Sequence, residues 1–108
     1  METIYNKLIR DNIPGIIEEE GRLPVFRILE DDEYLDALNK KLLEEINEYQ
    51  ESNNLDELCD IIEVVFAIAK TKGFSTEEIS ISCDSKNTKN GAFEKRLFLE
   101  KVITREVI

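Results

Sequence analysis

Apolar positions recur at the helical period along the middle of this chain, and breaks in that pattern divide it into segments. From Asp31 or Asp32 onward, Leu35, Leu38, Leu42, Ile46 and Tyr49 follow one another at steps of 3, 4, 4 and 3 residues. That is the stripe of an amphipathic helix. Ser52-Asn53-Asn54 breaks it, and a second helix follows to Gly73, with Leu58, Ile62, Val65 and Ala69 as its apolar centre line. Glu57 shares a row with Ile61, Val64 and Ile68 in that helix, at i, i+4, i+7 and i+11. Upstream, Asp11 or Asn12 starts a short helix with Pro14 in its first turn, which runs through Ile16 and Ile17 and stops at Gly21.

The pattern elsewhere is extended or weak. Residues 25–29 (Val-Phe-Arg-Ile-Leu) are β-branched and aromatic and predict a strand, and residues 96–102 predict its partner in a small two-stranded element. Ser75-x-x-Glu78 resembles a capping box and opens a weaker helix through Ile79 and Cys83. That helix is expected to dissolve into the polar, turn-rich residues 84–91. Neither an internal repeat nor a long linker divides the chain, so residues 1–108 read as one mainly α domain.

Composition narrows the function classes. Of 108 residues, 42% are hydrophobic and 35% charged, as in a globular protein rather than a disordered one. A net charge of −10 argues against a broad nucleic-acid surface, which needs a basic stripe, but not against one small phosphate ligand brought in with its metal. The longest apolar run is interrupted by Glu63 and too short for a membrane span, and the N-terminus lacks a signal-peptide core, so a cytoplasmic location is expected. There is no histidine, which removes Ser-His and Cys-His hydrolysis and a histidine-bound zinc. Cys59 and Cys83, with no C-x-x-C spacing, are expected to be buried free thiols.

The candidate chemistry lies in two acidic clusters on either side of the break, Glu44-Glu45-x-x-Glu48 and Glu57-x-x-Asp60. Residues three apart on a helix share a face, so Glu45 with Glu48, and Glu57 with Asp60, each aim two carboxylates one way. At about 100° per residue, Glu45 borders the apolar stripe and should be half-buried, with Glu48 further round and Glu44 nearly opposite. Antiparallel helices would bring the carboxylates together, where repulsion calls for a cation. Hard oxygen ligands suit magnesium or manganese. Taken alone, Glu57 is equally a capping-box residue after Asn54 or a ligand buried in an apolar row. Asp60, beyond the capping turn, favours the ligand. Basic groups complete the arrangement: Lys7 and Arg10 precede the first helix, and Lys86 and Lys89 precede the Asn90-Gly91 turn. Such groups, with free backbone N–H, suit a polyphosphate.

The clusters resemble the E-E-x-x-E … E-x-x-D signature of the all-α, MazG-like nucleotide pyrophosphohydrolases. Residues 5–14 (YNKLIRDNIP) and 90–96 (NGAFEKR) are similar to the two ends of a compact branch of that superfamily, related to phosphoribosyl-ATP pyrophosphohydrolase. The resemblance implies a helical bundle that forms homodimers or dimers of dimers. It also implies Mg²⁺-dependent cleavage of a nucleoside triphosphate to the monophosphate and pyrophosphate. Carried over by motif position, Glu45, Glu48, Glu57 and Asp60 would be the metal ligands, with Glu44 an outer-sphere or second-metal carboxylate placed to orient the attacking water. Lys7, Arg10, Lys86, Lys89 and Asn90 are the expected substrate contacts. Two other readings stand beside this house-cleaning pyrophosphohydrolase: the phosphoribosyl-ATP hydrolase itself, and a non-catalytic helical dimer that binds a nucleotide or a protein partner.

Overall fold

The computed structural model describes residues 1–106 and contains four helices: α1 (Ile13–Glu19), α2 (Asp31–Ser52), α3 (Leu55–Thr71) and α4 (Thr76–Asn90). The fold is mainly α. The chain divides into two compact units, Met1–Thr76 and the remainder from Glu77.

In the first unit, α2 and α3 pack against each other as a hairpin joined by Asn53-Asn54. Both asparagines have a local reason to be there. Asn53 closes α2 in the left-handed region (φ 56°), where its N–H donates to the Tyr49 carbonyl. Asn54 is the N-cap of α3, its side chain accepting from the Glu57 N–H at 3.3 Å. Across this two-residue link the second helix packs back against the first. On α2 the expected stripe faces the hairpin: Leu38 is buried, with Leu35, Leu42, Ile46 and Tyr49 half-buried around it.

On α3 the orientation differs from the sequence expectation. The row containing Glu57, Ile61, Val64 and Ile68 turns to α2, with Val64 buried and the others half-buried. Leu58, Ile62 and Val65, from the expected centre line, are exposed. The helix is apolar on two adjacent rows, and one neighbouring helix covers only one of them. Cys59, next to Leu58, is exposed as well, and so is Cys83 on α4; both thiols are free, but neither is buried as expected.

Two further expectations are corrected. No strand forms among the described residues, and residues 25–29 and 96–102 run without ladder hydrogen bonds. Two short segments far apart in sequence gain little from pairing alone, since an isolated two-stranded element is marginal in water. The second unit's helix does not dissolve after Cys83 either. It continues to Asn90 and ends at Gly91, whose φ of 83° suits a helix stop. Its polar residues are compatible with that course: Thr88 Oγ1 donates to the Asp84 carbonyl one turn back at 3.0 Å. Glu77 and Glu78 in the first turn and Lys89 in the last complement the helix dipole.

Candidate functional site

Glu45 is the most unusual side chain of the hairpin: expected to be half-buried at the border of the α2 stripe, it is buried, only 4% exposed, because the packing of α3 against that face of α2 covers it. Its Oε1 lies 3.3 Å from Lys41 Nζ one turn back, and that ammonium also sits 3.6 Å from Glu44 Oε1. Its other oxygen, Oε2, is buried without a hydrogen-bond partner. Burial pushes the Glu45 carboxyl above its ordinary range; the Lys41 ammonium opposes the rise, and the neighbouring Glu48 adds to it.

A second orphaned oxygen belongs to α3. Glu57 Oε2 is buried and unpartnered as well. The capping geometry explains why it is not needed at the helix start. Asn54 Oδ1 takes the Glu57 N–H, while the Asn54 N–H donates to Ser52 Oγ at 3.4 Å rather than to Glu57. Only half of the expected capping box is made, so the Glu57 carboxylate is left to the interior of the hairpin. An unsatisfied buried carboxylate oxygen is costly, so each of the two marks a point where a donor or a cation would be favourable.

The N-terminal segment supplies cations to the same region. Lys7 Nζ donates to Glu44 Oε1 at 3.2 Å, and Arg10 Nη2 donates to Asp60 Oδ1 at 2.6 Å. The Lys7 ammonium also lies 5.9 Å from the centre of the Tyr5 ring. Three basic side chains therefore hold three of the five sequence-identified carboxylates: Lys41 holds Glu44 and Glu45, Lys7 holds Glu44, and Arg10 holds Asp60. Glu48 is exposed, one turn beyond Glu44. As placed, no three acidic, cysteine or histidine residues among those described converge closely enough to hold a metal ion. The donor set nonetheless suits a hard divalent cation: all-oxygen, anionic, and with two of its oxygens buried and unsatisfied.

Of the residues singled out from the sequence, the structure pairs Lys7 with Glu44 and Arg10 with Asp60; Lys41, which pairs with Glu44 and Glu45, was not among them. The signal was present: Lys41 lies three and four residues before Glu44 and Glu45, the spacing of helical ion pairs. Lys86, Lys89 and Asn90 lie on the exposed last turns of α4, in the second unit. An open groove of ≈ 480 Å³ lies at the other end of the hairpin, between the first turn of α2 and the last of α3, and none of the candidate carboxylates lines it.

An uncharacterized protein of Mycolicibacterium smegmatis is 48% identical to this chain over 50 residues, which is 46% of this chain and 51% of the relative. The chain thus matches about half the length of that relative. No family model matches the sequence, and no solved structure matches it. No helix among the described residues is long and apolar enough to cross a membrane.

Proposed function

We propose that the chain is a divalent-metal-dependent nucleoside triphosphate pyrophosphohydrolase of the MazG-like superfamily, converting a triphosphate and water to the monophosphate and pyrophosphate. One observation carries this reading: Glu45 Oε2 and Glu57 Oε2, on the two helices of one hairpin, are both buried and unpartnered inside the E-E-x-x-E … E-x-x-D pattern. Buried carboxylate oxygens without a donor support a role for a bound cation.

In this reading Glu45, Glu48, Glu57 and Asp60 hold Mg²⁺ or Mn²⁺. The cation polarises the phosphoryl oxygens and lowers the pKa of a bound water, which lets a chain without histidine hydrolyse a phosphoanhydride. Glu44, half-exposed at the edge of the cluster, orients the attacking water. Lys7 and Arg10, together with Lys86, Lys89 and Asn90, neutralise the phosphates. The exposed row Leu58, Ile62 and Val65 is the face through which a second copy would complete the helical bundle as a homodimer or a dimer of dimers.

A second reading, a non-catalytic helical dimer, draws support from the same ion pairs, because Lys7, Arg10 and Lys41 already neutralise most of the cluster. A pyrophosphate-release screen decides between them. Purified protein is assayed against the NTPs, the dNTPs and phosphoribosyl-ATP, with Mg²⁺, with Mn²⁺ and with EDTA. Metal-dependent release from one substrate class supports the enzyme and identifies its base and sugar. Release confined to phosphoribosyl-ATP selects that hydrolase. A blank screen in both metals leaves the binding module.

A further inference from the structure

Residues 1–12 precede the first helix and cross to the hairpin at two polar points, Lys7 to Glu44 and Arg10 to Asp60. Between and beside these points only Leu8 and Ile9 are half-buried; the remaining residues of the segment are exposed. The Ile13 N–H donates to the Arg10 carbonyl at 3.1 Å, so the backbone of Arg10 is fixed by the start of α1 while its side chain reaches across 50 positions of sequence. The two basic side chains thus grip carboxylates that the metal reading above requires as a ligand and as its neighbour.

From this we infer that the N-terminal segment is a counter-ion strap. In the metal-free protein Arg10 and Lys7 occupy Asp60 and Glu44, a divalent cation displaces them, and their release turns both side chains over to the incoming anion. The inference rests on the metal reading and adds an order of events to it. Three features fit an exchangeable pairing rather than a structural one. The Arg10 and Asp60 side chains are 57% and 35% exposed, a setting in which an ion pair is weak. The displaced partners are long and flexible. Glu45 and Glu57 each keep one buried oxygen that no basic side chain satisfies, so the strap neutralises the rim of the cluster and leaves its interior open.

Linkage makes the strap testable in both directions: if the metal expels Arg10, removing Arg10 must favour the metal. Mn²⁺ is titrated calorimetrically into the full-length protein and into Arg10→Gln, Arg10→Lys and Lys7→Gln. Lys40→Gln serves as a control that removes an equal charge from α2 without touching either pair. Amide exchange of residues 1–12 is followed in the wild type with and without Mn²⁺. Arg10→Gln is expected to lower the Mn²⁺ dissociation constant about two- to fivefold, the worth of an exposed ion pair, with Arg10→Lys close to wild type and Lys40→Gln changing it less. Exchange in the segment should accelerate when Mn²⁺ binds. Binding by Arg10→Gln alone, with none by the wild type, also supports the strap. If wild type and Arg10→Gln bind Mn²⁺ equally, or exchange is unchanged, the strap is overturned and the metal site stands. If neither protein binds Mn²⁺, both ideas fall together.

Discussion

The Arg10 guanidinium reaches Asp60 at 2.6 Å, joining a segment ahead of the first helix to the second turn of α3. That contact and the neighbouring pair of Lys7 with Glu44 set two of the chain's own cations against the acidic hairpin. At its rim Glu44 and Asp60 are matched by the chain's own cations, while Glu45 and Glu57 each keep one buried oxygen without a partner. Several measurable consequences depend on this division.

Divalent metal should stabilise the protein. With the site filled at about a hundred times its dissociation constant, mass action adds roughly 2.7 kcal/mol. Thermal melts in millimolar Mg²⁺ and in EDTA are expected to differ by several degrees; superimposable curves would remove the cation from the account.

Glu57 and Asn54 should separate chemistry from capping. Asn54→Ala removes the acceptor of the Glu57 N–H and should cost about 1 kcal/mol of stability with turnover retained. Glu57→Gln keeps shape and backbone, so its stability should hold or rise while metal-dependent turnover collapses. Denaturant titrations paired with kinetics check this, and the opposite assignment of the two losses would return Glu57 to a capping role.

Metal-free stability should carry the signature of Glu45. Burial raises its carboxyl pKa in the folded protein, so the folded state binds this proton more tightly than the unfolded one. The contribution is fully present below the ordinary carboxyl range and is lost as pH rises through the raised value. Glu45→Gln removes that loss. In EDTA the variant should gain on the wild type from acid pH to neutrality and stay level with it at the acid end. A constant offset across the range would contradict the assignment.

Lys86 and Lys89 test the reach of the second unit. If they bind phosphate, Lys→Met at either position should lower kcat/KM by about ten- to a hundredfold, with Mn²⁺ affinity unchanged, since each lost contact is charge-assisted. Changes within twofold would identify them as solvated lysines of the last turns of α4.

The second apolar row of α3 should hold a partner copy. Leu58, Ile62 and Val65 are 40%, 52% and 39% exposed. Ile62→Glu places a charge at the middle of that row and is expected to shift sedimentation from dimer or tetramer to monomer while helical content persists. A wild type that sediments as a monomer at micromolar concentration would dismiss the interface.

What the sequence determined by itself is local. Asn53-Asn54 stops one helix and caps the next, Gly21 lies just past the end of α1, and the apolar stripe of α2 faces the hairpin with Leu38 buried. These are decided within a turn or two by backbone conformation, capping and the helical period, so they are legible one residue at a time. Tertiary structure decided what depends on a distant neighbour. Of the two apolar rows on α3, the one that carries Glu57 was chosen by contact with α2, which left Leu58, Ile62 and Cys59 exposed. Residues 25–29 and 96–102 have strand-like composition but no ladder, because a strand exists only when a partner satisfies its backbone. The pairs Lys7–Glu44 and Arg10–Asp60 span 37 and 50 positions, and only the folded hairpin brings those charges within reach of each other.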